Sequence, residues 1–133
     1  MDVMKYKFQI YKQTIIVRTK IKGINDTRAV KLILDTGATK TIIDEKAVIN
    51  LGYDPKQLKQ GYKLMTASGI VWSKIVELPK FSLFGKDVEN FEVNVINMTP
   101  ELSYFARGLI GMDFLLKFGK ITFDLDENII ETS

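Results

Sequence analysis

The 133-residue chain has 46% hydrophobic residues and charges of both signs interspersed to a net +3, the profile of an ordered globular domain. Cys and His are both absent, which excludes disulfides, thiolate chemistry, Ser-His-Asp and Cys-His catalysis and histidine metal ligands within the chain. Acid–base chemistry must come from Asp, Glu, Lys or Tyr, and the lysines, scattered from Lys5 to Lys120 with no long run, predict a solvated surface and no nucleic-acid patch.

Residues 3–34 read as β-structure. Tyr6, Phe8 and Ile10 alternate with Lys5, Lys7 and Gln9; Ile15 to Ile21 and Val30 to Leu34 follow, separated by a turn at Gly23-Ile24-Asn25-Asp26. A short helix is predicted with Asp44 as N-cap and Glu45 in its first turn, running through Ala47 and Val48 to a stop at Gly52, with Pro55 beyond. Residues 62–78 read as a hairpin turning at Ala67-Ser68-Gly69. A second hairpin runs from Phe81–Phe84 through a Gly85-Lys86-Asp87 turn to Val88–Ile96. Gly108 to Gly111 is a buried strand leading to a helix from Asp113 to Phe118, and Ile121–Leu125 and Asn128–Glu131 flank a polar turn. The cluster Phe81, Phe84 and Phe91 is assigned to the core. Many short strands with few helices predict an all-β barrel or sandwich, a single domain over residues 1–133.

Two segments carry chemistry. In Val30 to Ile43 an apolar strand delivers one carboxylate, Asp35, into a small polar turn, Thr36-Gly37-Ala38-Thr39. Gly37 permits close backbone approach, and the Thr36 hydroxyl can lock the turn to a neighbour. The second segment is Leu109-Ile110-Gly111-Met112-Asp113-Phe114-Leu115. Its apolar residues and glycine can pass tightly behind a loop, and Asp113 fits a helix start. The residues alone also allow a blander reading, in which Asp35 closes a turn and Thr36 and Gly37 are ordinary turn residues.

The two segments in this order, with the Ala67-Ser68-Gly69 hairpin between them, resemble the retropepsin-like aspartic protease family, its bacterial and retroelement members above all. The resemblance covers about Val30 to Asp124. It implies an acid-protease-type closed barrel with one or two short helices, one subunit of a C2 homodimer. It implies that Asp35 is the catalytic carboxylate, that Thr36 interlocks with its mate across the dimer axis, and that Gly37 offers its backbone to substrate beside Ala38. It makes residues 64–72 a flap, with Ala67, Ser68, Gly69, Ile70 and Trp72 as flap and substrate-binding positions. Trp72 reads equally as packing for a hairpin face. Leu109, Ile110, Gly111 and Asp113 would support the loop bearing Asp35.

Hydrolysis of an amide by carboxylates needs one ionised and one protonated, which close approach enforces; the aspartic-protease dyad is the standard illustration of this effect. The chain has one Asp-Thr-Gly, and Asp124 and Asp126 lack a glycine turn behind them. The second carboxylate is therefore expected from Asp35 of another copy. A peptide or protein substrate would bind as an extended strand, and no metal or organic cofactor is implied. Pepsin-type members carry Ser where Ala38 stands. Without that hydroxyl donor the expected activity optimum is less acid, about pH 5–6.

Departures from the family pattern carry their own expectations. Retroviral members place Asp after the Ala and Arg after the second-motif glycine, where this chain has Thr39 and Met112; that ion pair near the dimer interface is missing. The tail Ile121 to Ser133 is expected either to build a different interface or to fold as a hairpin on its own subunit. Gly69 is the only glycine of the flap turn, which predicts a stiff flap. No apolar run approaches the roughly 20 residues that span a bilayer, and the opening MDVMKYKFQIYKQ lacks the apolar centre of a signal peptide, so a cytoplasmic location without a membrane partner is expected. The alternative function is a peptide-binding or dimerisation module of this fold that cuts little or nothing.

Overall fold

The structure is a computed structural model and describes residues 3–66 and 69–133. Alternation sets the first four strands: β1 (Met4–Lys7), β2 (Gln9–Tyr11), β3 (Thr14–Lys22) and β4 (Thr27–Leu34). On β3, Val17, Thr19 and Ile21 point inward while Arg18, Lys20 and Lys22 face out, the period-2 pattern of a half-buried strand. Lys12 and Gln13 join β2 to β3 with φ of 49° and 63°, the two-residue geometry that matches strand twist. Neither residue is Gly, Asn or Asp, so the sequence gives no signal for this turn. The Gly23–Asp26 turn forms as predicted, Gly23 N–H donating to the Asp26 carbonyl at 2.7 Å.

After β5 (Ile42–Asp44), the predicted helix forms as α1 (Glu45–Asn50) and stops before Gly52, whose φ is +100°. Asp44 occupies the N-cap position without a side-chain capping bond. Its fully buried carboxylate instead accepts from Met98 N–H at 3.2 Å and lies 3.6 Å from Arg107 Nη1. Pro55–Gln57 form a single 3-10 turn capped by Asp54.

The two predicted hairpins share a strand. β6 (Lys59–Thr66) pairs with β7 (Gly69–Leu83), a 15-residue strand that continues into the pairing with β8 (Lys86–Ile96). Pro79 does not interrupt it because the ladder steps over it. Leu78 pairs with Phe91 and Lys80 with Glu89, so the register runs on unshifted past Pro79, and the opposing Asn90 takes φ +53°, an interruption that needs no N–H from proline. The turn falls at Phe84-Gly85, both at positive φ, and not at Gly85–Asp87. An unpredicted α2 (Pro100–Ser103) precedes β9 (Gly108–Ile110). The last helix, α3 (Met112–Leu115), starts one residue earlier than predicted and is shorter; Gly111, not Asp113, is its N-cap.

β3, β4, β9, β5, β8 and β7 pair in that order, and β7 pairs again with β3 through Ile21↔Phe81, so the circuit closes. The expected all-β fold is borne out. Its interior is aromatic: Phe114 lies 5.1 Å from Phe81 and 5.4 Å from Phe91 between ring centres, and Phe81 and Phe114 are fully buried. Phe81, Phe84 and Phe91 are all core residues, as expected. β10 (Ile121–Asp124) and β11 (Ile129–Thr132) form the tail hairpin on their own subunit, and β1 completes it as a three-stranded sheet, β1-β11-β10. Tyr6, Phe123 and the fully buried Ile130 face inward, whereas Lys5, Glu131 and Thr122 face out. Among the described residues no helix is long and apolar enough to cross a membrane.

Candidate active site

β4 ends at Leu34, and the chain turns at once. Asp35 N–H donates to the Ile110 carbonyl at 3.0 Å, which places the Cα of Asp35 beside the second motif. Its Oδ1 accepts from Gly37 N–H at 2.9 Å, and its carbonyl accepts from Ala38 N–H at 3.2 Å. The turn-closing role expected of a bland aspartate is thus present, and it fixes the carboxylate in one orientation. Asp35 is half-buried, with Thr36 and Gly37 exposed beside it. A carboxylate held this way can bind a water or a polar group from solvent.

The loop from Asp35 to Thr41 is pinned from below by the second motif. Ile33 and Leu34 run parallel to Leu109 and Ile110, and Ile42 lies antiparallel to Leu109. Met112 N–H donates to the Ala38 carbonyl at 2.8 Å and Asp113 N–H to Thr39 at 3.2 Å. Gly111 and Gly108 are required by contact. A Cβ on Gly111 would lie 2.7 Å from the Lys40 carbonyl carbon and oxygen; one on Gly108 would collide with the Ile42 carbonyl oxygen. Asp113, expected as a helix start, reaches back to the loop: its carboxylate accepts from Thr41 N–H at 3.0 Å and from Thr41 Oγ1 at 2.7 Å.

Thr41 is the residue that sequence reading does not single out. It is fully buried, and its hydroxyl accepts from Gly111 N–H at 3.1 Å while donating to Asp113. Its carbonyl accepts from Asn94 N–H at 3.0 Å. Asn94 Oδ1 lies 2.9 Å from the Ser73 hydroxyl, which lies 2.9 Å from the Tyr62 carbonyl on β6. A continuous polar path therefore joins Asp113, the Asp35 loop and the base of the β6–β7 hairpin, and Lys40 Nζ sits 5.2 Å over the Tyr62 ring. Buried networks of this sort are costly to break. Asp113→Ala leaves the Thr41 N–H and hydroxyl without acceptors, and a loss of about 1–3 kcal/mol in urea unfolding is expected, with Asp113→Asn losing less.

Of the expected hairpin-tip positions, Ala67 and Ser68 lie outside the described residues. Gly69 has φ +114°, and Thr66 Oγ1 donates to its carbonyl at 2.7 Å. Ile70 and Trp72 are exposed, with Met65 opposite Ile70 and Lys63 opposite Trp72. Lys63 Nζ lies 5.2 Å over the indole, so Trp72 does not pack a core face and presents its ring on the hairpin surface. Among the described residues no group of three or more Asp or Glu could hold a metal ion.

Residues 21–117 match the family described as "gag-polyprotein putative aspartyl protease". The chain belongs to this aspartyl protease family. The resemblance carried by the Asp35 and Gly111 segments is therefore borne out. The structure is also similar to that of a retropepsin-like aspartic protease from Rickettsia conorii, at 20% sequence identity, a TM-score of 0.74, and coverage of 98% of this chain and 91% of that one. At that identity the likeness is one of retropepsin-like fold. It extends over the terminal segments that the family match leaves out. No curated protein matches the sequence. The aspartyl protease family assignment thus rests on the segment that contains both the Asp35 turn and the motif pinning it.

Proposed function

We propose that residues 1–133 form one domain, an aspartic endopeptidase that activates water between the Asp35 carboxylates of two copies related by a C2 axis. The observation that carries this reading is the fate of the other aspartates. Asp113 is committed to Thr41, Asp44 is fully buried against Met98 and Arg107, and Asp124 closes its own turn on Asp126 and Glu127 N–H. Asp35 combines a carboxylate oriented by Gly37 N–H with an exposed turn and a backbone bond to Ile110 of the second motif. A pair of carboxylates is needed to serve as base and acid at once, and a single proton shared between them supplies both. The partner's Asp35 completes the pair, Thr36 and Gly37 lie nearest the axis, and the two β6–β7 hairpins cover a peptide bound as an extended strand.

The test is incubation with a diverse peptide pool from pH 4 to 7, with new termini read by mass spectrometry. Cleavage is expected to peak about pH 5–6, with a rate that rises faster than linearly with protein concentration. Silence from folded, dimeric protein would assign the chain to peptide binding without cleavage.

A further inference from the structure

β4 has an unfinished edge. Its C-terminal half pairs with β9 at Ile33 and Leu34, and Arg107 N–H donates to the Lys31 carbonyl at 2.8 Å. Among the described residues no strand pairs with that side from Thr27 to Val30. Successive residues of a strand direct their N–H and C=O groups to opposite edges. The Lys31 carbonyl and the Asp35 N–H both point to the β9 side, so Ala29, at the same parity, directs its N–H and C=O there too.

This edge borders a hollow of about 400 Å³. Arg28, Lys31 and Arg107 supply three cations to its lining, no Asp or Glu lines it among the described residues, and Phe105 and the exposed Tyr104 also line it. Ala29 is small and exposed, so its backbone is open to approach. Of the cations, Arg107 already faces the buried Asp44 and Arg28 lies 3.2 Å from the exposed Asp26.

We infer that this edge takes an extended acidic peptide segment, added to the sheet beside Thr27–Val30. The backbone of Ala29 provides the ladder hydrogen bonds, and carboxylates on alternate sides of the incoming strand meet Arg28 and Lys31. Strand addition of this kind draws affinity from the backbone and selectivity from side-chain pockets. A bare cationic face would serve a polyanion equally; the exposed strand edge favours a peptide. The site is separate from Asp35 and does not rest on the proposed protease activity.

The probe is a fluorescein-labelled (Glu-Glu-Val-Val)2 peptide, which as a strand carries carboxylates on both faces, followed by anisotropy and by amide NMR at low salt, beside a (Lys-Lys-Val-Val)2 peptide and a single-stranded DNA oligonucleotide of equal charge. Binding of the acidic peptide alone is expected, with slowed exchange of the Ala29 amide. Ala29→Pro removes the outward N–H at an edge position where proline is tolerated, and is expected to weaken the acidic peptide about tenfold or more. Arg28→Glu with Lys31→Glu gives the same loss by charge and serves if Ala29→Pro unfolds, while Arg107 is left in place because it faces Asp44. Cleavage of neutral peptides by the charge-reversed protein is expected to be unchanged, so failure here is distinguishable from failure of the protease reading. Unaltered binding in Ala29→Pro, equal binding of the oligonucleotide, no binding of the acidic peptide, or filling of the edge by a second copy would each overturn the inference.

Discussion

Asp35→Asn is expected to abolish peptide cleavage while leaving the fold intact. The carboxylate makes one described side-chain bond, from Gly37 N–H, and an asparagine oxygen can accept the same bond. The amide cannot take a proton from water, and positioned acid–base groups contribute about 10²–10⁴-fold each. A fall of at least 10³-fold in kcat/KM with little change in Tm is therefore expected. A mixing experiment separates a shared dyad from a one-subunit site. With equal amounts of parent and variant pairing at random, about a quarter of the dimers hold two aspartates, so activity per parent chain falls by about half. If each subunit acted alone, activity per parent chain would not change.

Gly111→Ala is expected to cost stability and activity together. The added methyl would sit 2.7 Å from the Lys40 carbonyl group and 2.9 Å from the Ala38 carbonyl oxygen. Neither can retreat easily, because Ala38 accepts from Met112 N–H and Asp113 N–H holds Thr39. Overpacking against fixed backbone costs about 1–3 kcal/mol or more, which corresponds to a Tm lower by on the order of 10 °C. The displaced loop carries Asp35 with it, so turnover falls beyond what unfolding explains. Gly37→Ala makes the contrast. Its Cβ meets only Asp35 Oδ1, at 3.2 Å, in an exposed turn. It is expected to reduce turnover with a Tm within a few degrees of the parent, and scanning calorimetry beside kcat measurement distinguishes the two cases.

The strands and the Asp35 turn were legible because their causes are local. Period-2 alternation marks β3, and an apolar run ending in Asp-Thr-Gly marks the turn at Asp35. The pairing of that turn with the second motif came from family resemblance and not from periodicity. What escaped the sequence depends on partners distant in the chain. Thr41 is a threonine like others until Asp113 and Gly111 arrive from some seventy residues away. Pro79 reads as a strand breaker, yet the ladder with β8 resumes beyond it in the same register, with Asn90 opposite at positive φ. Asp113 precedes an apolar helical turn, which favours a cap by local rules; its bonds to Thr41 became visible only with the fold. Lys12 and Gln13 adopt positive φ without the residues that favour it, because the β2–β3 and β3–β4 pairings leave two residues to reverse the chain.

Because Met4 and Thr132 are strand partners, the two ends of the polypeptide are tied to each other by the same few hydrogen bonds. Closing so large a loop costs only about 0.6 kcal/mol more than closing one half its length, so nearly the whole chain can be encircled at little extra entropic expense. One opening event at β1–β11 releases β1 alone, because β11 stays paired with β10. β1 and β11 thus behave as a clasp in which β11 is the fixed half and β1 the half that opens.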